Sequence, residues 1–237
     1  MIMAFSREQQ LLLWCLGDGS LLLTLPDDNL NWHAFLDLAE THHVIPLVSY
    51  VLRGLPQGNV PAEISSALQA WHLESTRHNL ALLMELSRLL DLLKAGDVTA
   101  IPFKGPITAM MAYGDPSLRT CGDLDILVTQ SDYPKAVSIL LSFGYAVTKR
   151  YETAMQSTLE HAESQINIDL HWGIPPKELD LNIGLLRKNL GDFNLVGKIV
   201  PTFSIGDMFL IHCINATKEY WKPTLQQFYD IKMFIEH

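Results

Sequence analysis

The segment Gly122-Asp123-Leu124-Asp125-Ile126-Leu127-Val128 constrains this chain more than any other. Carboxylate and apolar residues alternate there with period two, which predicts a strand over 123–128. Residues two apart on a strand share a face, so Asp123 and Asp125 project side by side while Leu124 and Ile126 point into a core. Adjacent carboxylates repel, and one of such a pair resists ionisation. A divalent cation between them relieves the repulsion, and oxygen-only ligands favour Mg²⁺ or Mn²⁺. A second segment, Ile166-Asn167-Ile168-Asp169-Leu170-His171, alternates in the same way and sets Asn167, Asp169 and His171 on one face. If the two strands are neighbours, Asp169 joins the pair. Three carboxylates so placed can hold two metals roughly 3.5–4 Å apart, the arrangement that runs in-line phosphoryl chemistry. His171 reads as either a partner of one carboxylate or a strand end.

Two further features flank these strands. Val98 to Phe103 reads as a short buried strand, and Lys104-Gly105-Pro106 follows at the start of a helix over 105–113. Backbone N–H groups at a helix start attract phosphate, Gly105 permits close approach, and Lys104 offers a point charge. The spacing is not that of a P-loop. Arg119 lies in the loop before Asp123 and reads equally as a clamp on a triphosphate or as an ion pair ordering the aspartates.

The remainder reads as helices around a small sheet. Ser6 and Gln9 form a capping box for a first helix, Asn31 caps a second through Glu40, and a third runs over 45–53. Ala62 to Lys94 holds no Gly or Pro, and Leu80, Leu83, Leu86, Leu90 and Leu93 form one helical stripe that Gly96 ends. Further helices are expected over 132–143 with Ser131 as cap, from Ser204 or Asp207 through Ala216, and over 224–236; a strand is expected over 145–151. The expected fold is α+β, with a small mixed-sheet core over 98–203 between helical regions over 1–97 and 204–237. The last helix either continues beyond His237 or frays there.

Composition narrows the function classes. Apolar residues make up 48% of the chain and charged residues 18%, enough apolar material for a sizeable core and too much for disorder. Seventeen Lys and Arg stand against 26 Asp and Glu, a net charge of −9, which argues against a long nucleic acid as partner. Cys15, Cys121 and Cys213 are scattered, with no spacing for zinc or a disulfide scaffold. No convincing membrane segment is present, and a cytoplasmic location is expected.

Lys104-Gly105, Tyr113, Pro116, Arg119, the Gly122 to Val128 segment and Asp169-Leu170-His171-Trp172 together resemble the uncharacterised nucleotidyltransferase family of bacteria, within the DNA polymerase beta-like superfamily. Upstream, Ala39 to Pro46 resembles the family's early helix pair. Downstream, His212, Lys218, Trp221 and Asp230 resemble its C-terminal helical segment. The resemblance implies that Asp123, Asp125 and Asp169 bind Mg²⁺ or Mn²⁺, with Asp169 completing the catalytic site. It also implies transfer of a nucleotidyl group from an NTP, ATP being the first candidate, to a hydroxyl or phosphate of a small-molecule, sugar or protein acceptor, with release of pyrophosphate. Lys104, Gly105 and Arg119 would bind the nucleotide, and Trp221 beside Tyr220 would stack on its base. The chain departs from the superfamily where Lys104-Gly105-Pro106 replaces a Gly-Ser, so Lys104 or Thr108 must serve the triphosphate. Two other readings remain: a silent nucleotide-binding or interaction module of the same fold, and a phosphohydrolase using His161 and His171 as ligands.

Overall fold

The computed structural model describes residues 5–17, 30–56, 58–153, 155–174, 183–217 and 223–236. Among these, helices α1 (Arg7–Leu16), α2 (Trp32–Thr41), α3 (Ile45–Arg53) and α4 (Ala62–Ala95) come first. The Ser6–Gln9 capping box is formed, and Asn31 caps α2 through Ala34 N–H. The core follows: β1 (Ile101–Pro102), α5 (Gly105–Tyr113), a 3-10 turn (Pro116–Leu118), β2 (Leu124–Leu127), α6 (Tyr133–Ser142), β3 (Tyr145–Tyr151), β4 (Gln156–His161) and β5 (Asn167–His171). Next come α7 (Ile183–Lys188), the hairpin β6 (Gly191–Leu195) and β7 (Lys198–Thr202), then α8 (Ile205–Thr217) and α9 (Leu225–Glu236). The fold is the expected α+β arrangement, a small mixed sheet among helices. No described helix is long and apolar enough to cross a membrane.

The five-stranded sheet has the order β1-β2-β5-β4-β3, with β2 and β5 parallel and the other pairs antiparallel. One face carries Leu124, Ile126, Leu159, Ile168 and Leu170, all fully buried, and α6 covers it, with Tyr133 Oη 2.6 Å from Ser157 Oγ. The other face carries Asp125, Asp169, Thr158 and Gln156. At 34 residues, α4 is about 50 Å long. Its first half packs Ile64 and Leu68 with α1, α2 and α3, and its second half packs Leu82 to Leu93 with the sheet.

Several local expectations change. The first strand is two residues rather than 98–103, because Val98 N–H closes the end of α4 on Leu93 O. Asp132, not Ser131, occupies the N-cap of α6, and its N–H is taken by Thr129 Oγ1. Leu80 lies 48% exposed, off the stripe that its heptad neighbours bury. The strand β4 and the β6–β7 hairpin were not expected.

A buried polar network joins α9 to the segment that leads into β2. Arg119 meets Asp230 with two parallel bonds, Nε to Oδ1 and Nη2 to Oδ2, each 2.9 Å. Tyr113 Oη donates to Asp230 Oδ1 at 2.6 Å, and His212 Nδ1 lies 3.5 Å from Oδ2. His212 Nε2 in turn meets Thr108 Oγ1 at 2.8 Å. From α4, Asn79 Nδ2 donates to Pro116 O and Arg119 O. The Gln226 side-chain amide clasps the Thr120 backbone, Oε1 accepting from its N–H and Nε2 donating to its carbonyl. Burial pushes the His212 imidazole down to about 4, against the opposing pull of Asp230.

Truncating one partner of a buried ion pair strands the other charge, so Asp230→Asn is expected to cost about 3–5 kcal/mol of unfolding free energy. Chemical denaturation checks this. His212 makes a separate pH prediction. The unfolded chain binds its proton below about 6.5 and the folded chain only below about 4. Stability is therefore present above pH 6.5 and lost as pH falls towards 4, by on the order of 3 kcal/mol from this residue. Unfolding free energies of wild type and His212→Gln, compared across that window, should show a shallower decline in the variant.

Candidate active site

The site is built where β2 and β5 run parallel. Their register sets Asp125 opposite Asp169 and Leu127 opposite His171. Asp123 lies one residue before the ladder begins. Its carboxyl is pushed up to about 7, first by burial and then by the charges of Asp125 and Asp169. The three carboxylates thus occupy one electrostatic neighbourhood, as their two strands predict.

Asp125 behaves in the opposite way. Burial alone would raise it, yet the Lys104 ammonium and a hydrogen bond from His171 hold it well below the usual carboxylate range. Lys104 Nζ and His171 Nε2 each lie 3.0 Å from its Oδ1. A carboxylate only accepts, so Nε2 carries the imidazole proton. Burial keeps the His171 ring neutral, and its Nδ1 is a buried lone pair with no hydrogen-bond partner among the described residues. Asp169 is oriented from β4: Gln156 Nε2 donates to Oδ2 and Thr158 Oγ1 to Oδ1, both at 2.6 Å. Gln156 and Thr158 were missed in the sequence because β4 itself was missed.

Two carboxylates and an imidazole here could hold a metal ion. Ligand atoms of Asp125, Asp169 and His171 lie within 4.8 Å of one another. Asp123 stands outside that group; its ionisation is suppressed first by burial and then by the charges of Asp125 and Asp169.

The turn beside this cluster is sterically defined. Lys104 and Gly105 both have positive φ, 55° and 43°. Such backbone at a non-glycine residue costs of order 1–3 kcal/mol and concentrates at functional sites. It swings the chain from β1 into α5, so that helix begins beside Asp123. A Cβ on Gly105 would meet Asp123 O at 2.8 Å.

Other expected residues lie elsewhere. Arg119 is committed to Asp230 on α9 and orders the approach to β2 from behind, without pairing to Asp123 or Asp125. Thr108 is fully buried with its hydroxyl on His212, so it does not replace the missing serine at the helix start. His161 meets Tyr145 edge-on at the end of β4 remote from His171, which removes the paired-histidine metal site. Trp221, Tyr220 and Lys218 lie outside the described residues.

A family model described as "uncharacterised nucleotidyltransferase" matches residues 28–237. The chain belongs to that family. Its fold is similar to the crystal structure of ANT(2″)-Ia in complex with adenylyl-2″-tobramycin, with a TM-score of 0.50 and 11% identity over 65% of this chain and 87% of that one. A lincomycin-bound lincosamide antibiotic adenylyltransferase, LnuA, matches with a TM-score of 0.48 and 19% identity over 64% and 95% of the two chains. An antigenic nucleotidyltransferase-like protein from Paracoccidioides brasiliensis matches with a TM-score of 0.47 and 14% identity over 65% and 75%. At these identities the likeness is one of fold. A comparison with curated protein sequences finds no match.

Gly105→Ala should be strongly destabilising, since the methyl must displace backbone and an alanine must hold a left-handed conformation. A loss of at least 2 kcal/mol is expected, about the scale of a strained backbone position. A thermal melt of the variant, set beside that of Gly114→Ala, where a Cβ meets nothing within 4 Å, isolates the close approach from the φ penalty.

Proposed function

We propose that this protein is a metal-dependent nucleotidyltransferase that moves a nucleotidyl group from an NTP, with ATP as first candidate, to a hydroxyl or phosphate of a small-molecule, sugar or protein acceptor. The observation that carries the reading is the parallel register that sets Asp125 against Asp169 with Asp123 beside them. Membership in the nucleotidyltransferase family supports it.

In this reading Asp123, Asp125 and Asp169 hold Mg²⁺ or Mn²⁺. A divalent cation bound there supplies charge neutralisation on the triphosphate and a lowered pKa at the acceptor oxygen. The chain's own residues do the rest. Lys104 and the helix start at Gly105 take the triphosphate, by the ammonium charge and the Gly105 N–H; Pro106 has no N–H, and those of Ile107 and Thr108 are bonded to Lys104 O. His171 fixes the rotamer of Asp125 through Nε2–H, as an outer partner fixes a metal-binding carboxylate. Gln156 and Thr158 do the same for Asp169, and each Asp169 oxygen keeps a second lone pair with which to accept the acceptor's proton. Arg119 acts through position alone, tying the segment before Asp123 to α9. The net charge of −9 favours a compact acceptor over a long nucleic acid.

The test is a thermal-shift titration of each of the four NTPs, with and without Mg²⁺, into wild type and Asp125→Asn. A Mg²⁺-dependent rise of several degrees for one NTP in wild type, lost in the variant, is expected. Absence of any shift in a folded protein would overturn the reading. A shift with no pyrophosphate release across acceptor panels would favour the silent module, for which the commitment of Arg119 and Thr108 to buried partners is the specific observation.

A further inference from the structure

We propose that Lys149 and Tyr151 on β3 form the acceptor subsite, and that it takes an anionic acceptor, a phosphate or carboxylate group attached to a flat ring; this rests on the nucleotidyltransferase reading above. The argument begins with strand register. Lys149 pairs with Thr158, Thr158 with Asp169 and Asp169 with Asp125, so these four residues form one row across β3, β4, β5 and β2. Cross-strand partners project from the same face. The face is fixed by bonding, since Thr158 Oγ1 is on Asp169 Oδ1. Tyr151 pairs with Gln156, whose amide is on Asp169 Oδ2. Lys149 and Tyr151 therefore look out from the carboxylate side of the sheet. Arg150 between them goes to the other side, with its guanidinium 5.6 Å from the ring centres of both Tyr133 and Trp172.

A β-bulge creates this arrangement. Val147 pairs with Leu159, but Lys149 pairs with Thr158, leaving Thr148 as the extra residue. In a regular ladder Lys149 would oppose Ser157 and point towards α6. The bulge reverses its side, which is the use such irregularities have beside active sites.

The row also has a direction. Lys104 and the helix start lie at its β1–β2 end, where the triphosphate is assigned. Lys149 lies three strands from Asp125, about 14 Å away, and two strands from Asp169, about 10 Å. In-line transfer sets donor and acceptor on opposite sides of the reacting phosphorus, so the acceptor approaches from the β4–β3 side. Lys149 is exposed, and its side chain has no hydrogen bond or ion pair among the described residues; Tyr151 is 41% exposed. Arg150, by contrast, is spent on Glu152 at 2.6 Å. Glu160 shares the face of Thr158 but lies at the far end of β4, opposite Ala146. An ammonium is thus stationed on the approach to the carboxylates from the β3 side. Tyr151, two residues on, offers a ring face for stacking.

Calorimetric titration decides the matter, with the donor site filled by Mg²⁺ and a non-hydrolysable ATP analogue. Three matched probes are used: phenyl phosphate, benzyl alcohol and benzylamine. Wild type is expected to bind phenyl phosphate at least tenfold more tightly than the other two. Lys149→Gln should remove most of that preference and leave the affinity for the analogue unchanged, and Tyr151→Ala should weaken phenyl phosphate severalfold. Equal binding of the three probes, no binding of any, a preference for benzylamine, or an anion preference that survives Lys149→Gln would each overturn the proposal. Competition between phenyl phosphate and the analogue would overturn it as well, by assigning the anion to the donor site. Failure of the nucleotide reading is seen separately, as analogue binding that ignores Asp125→Asn; the Lys149-dependent preference for phenyl phosphate is then measured without analogue, and its loss refutes the subsite.

Discussion

Repulsion among Asp123, Asp125 and Asp169 is the constraint around which this molecule is arranged. Three carboxylates at the end of a parallel strand pair, partly withdrawn from water, are unfavourable unless each is answered. The answers differ. Asp125 receives Lys104 and His171, Asp169 receives two neutral donors from β4, and Asp123 is left with its ionisation suppressed to about 7. One carboxylate is thus held ionised, while burial and then its neighbours keep another from ionising. His171 Nδ1, deep in the same cluster, has no hydrogen-bond partner among the described residues.

Two long-range devices hold that arrangement. The helix α4 spans both hydrophobic cores, so the N-terminal helices and the sheet share one rigid element. From the other side, α9 delivers Asp230 to Arg119, and Gln226 to Thr120. Both partners of the Arg119–Asp230 pair are nearly or fully buried, and Tyr113 and His212 satisfy what the guanidinium leaves open. A buried pair of this kind contributes registration more than stability, because desolvation of the two ions offsets much of their attraction. Its effect is to fix the segment before Asp123 in one position relative to α5.

Much of this was legible in the residues. The boundaries of α3, α5 and β3 follow from caps, breakers and periodicity that are local. The alternation around Asp125 and Asp169 likewise gave both faces of β2 and β5. What escaped has local reasons. In β4 the buried positions include Ser157, so the apolar half of the alternation is broken. The β6–β7 hairpin turns at Val196-Gly197, with Val196 at φ 51°, a residue that ordinarily avoids such a turn. Arg119 was ambiguous because its partner is over a hundred residues away, and no spacing rule links them.

The sequence by itself determined which residues carry charge, which faces of which strands they occupy, and where the chain must turn. These depend on interactions a few residues in range. Only the tertiary structure decided which carboxylate is ionised, that Arg119 and Thr108 are spent on Asp230 and His212, and that a bulge in β3 brings Lys149 to the side of Asp169. Each of these depends on burial and on partners brought together by packing. An electrostatic environment is a sum over neighbours in space, and the order of residues along the chain does not contain it.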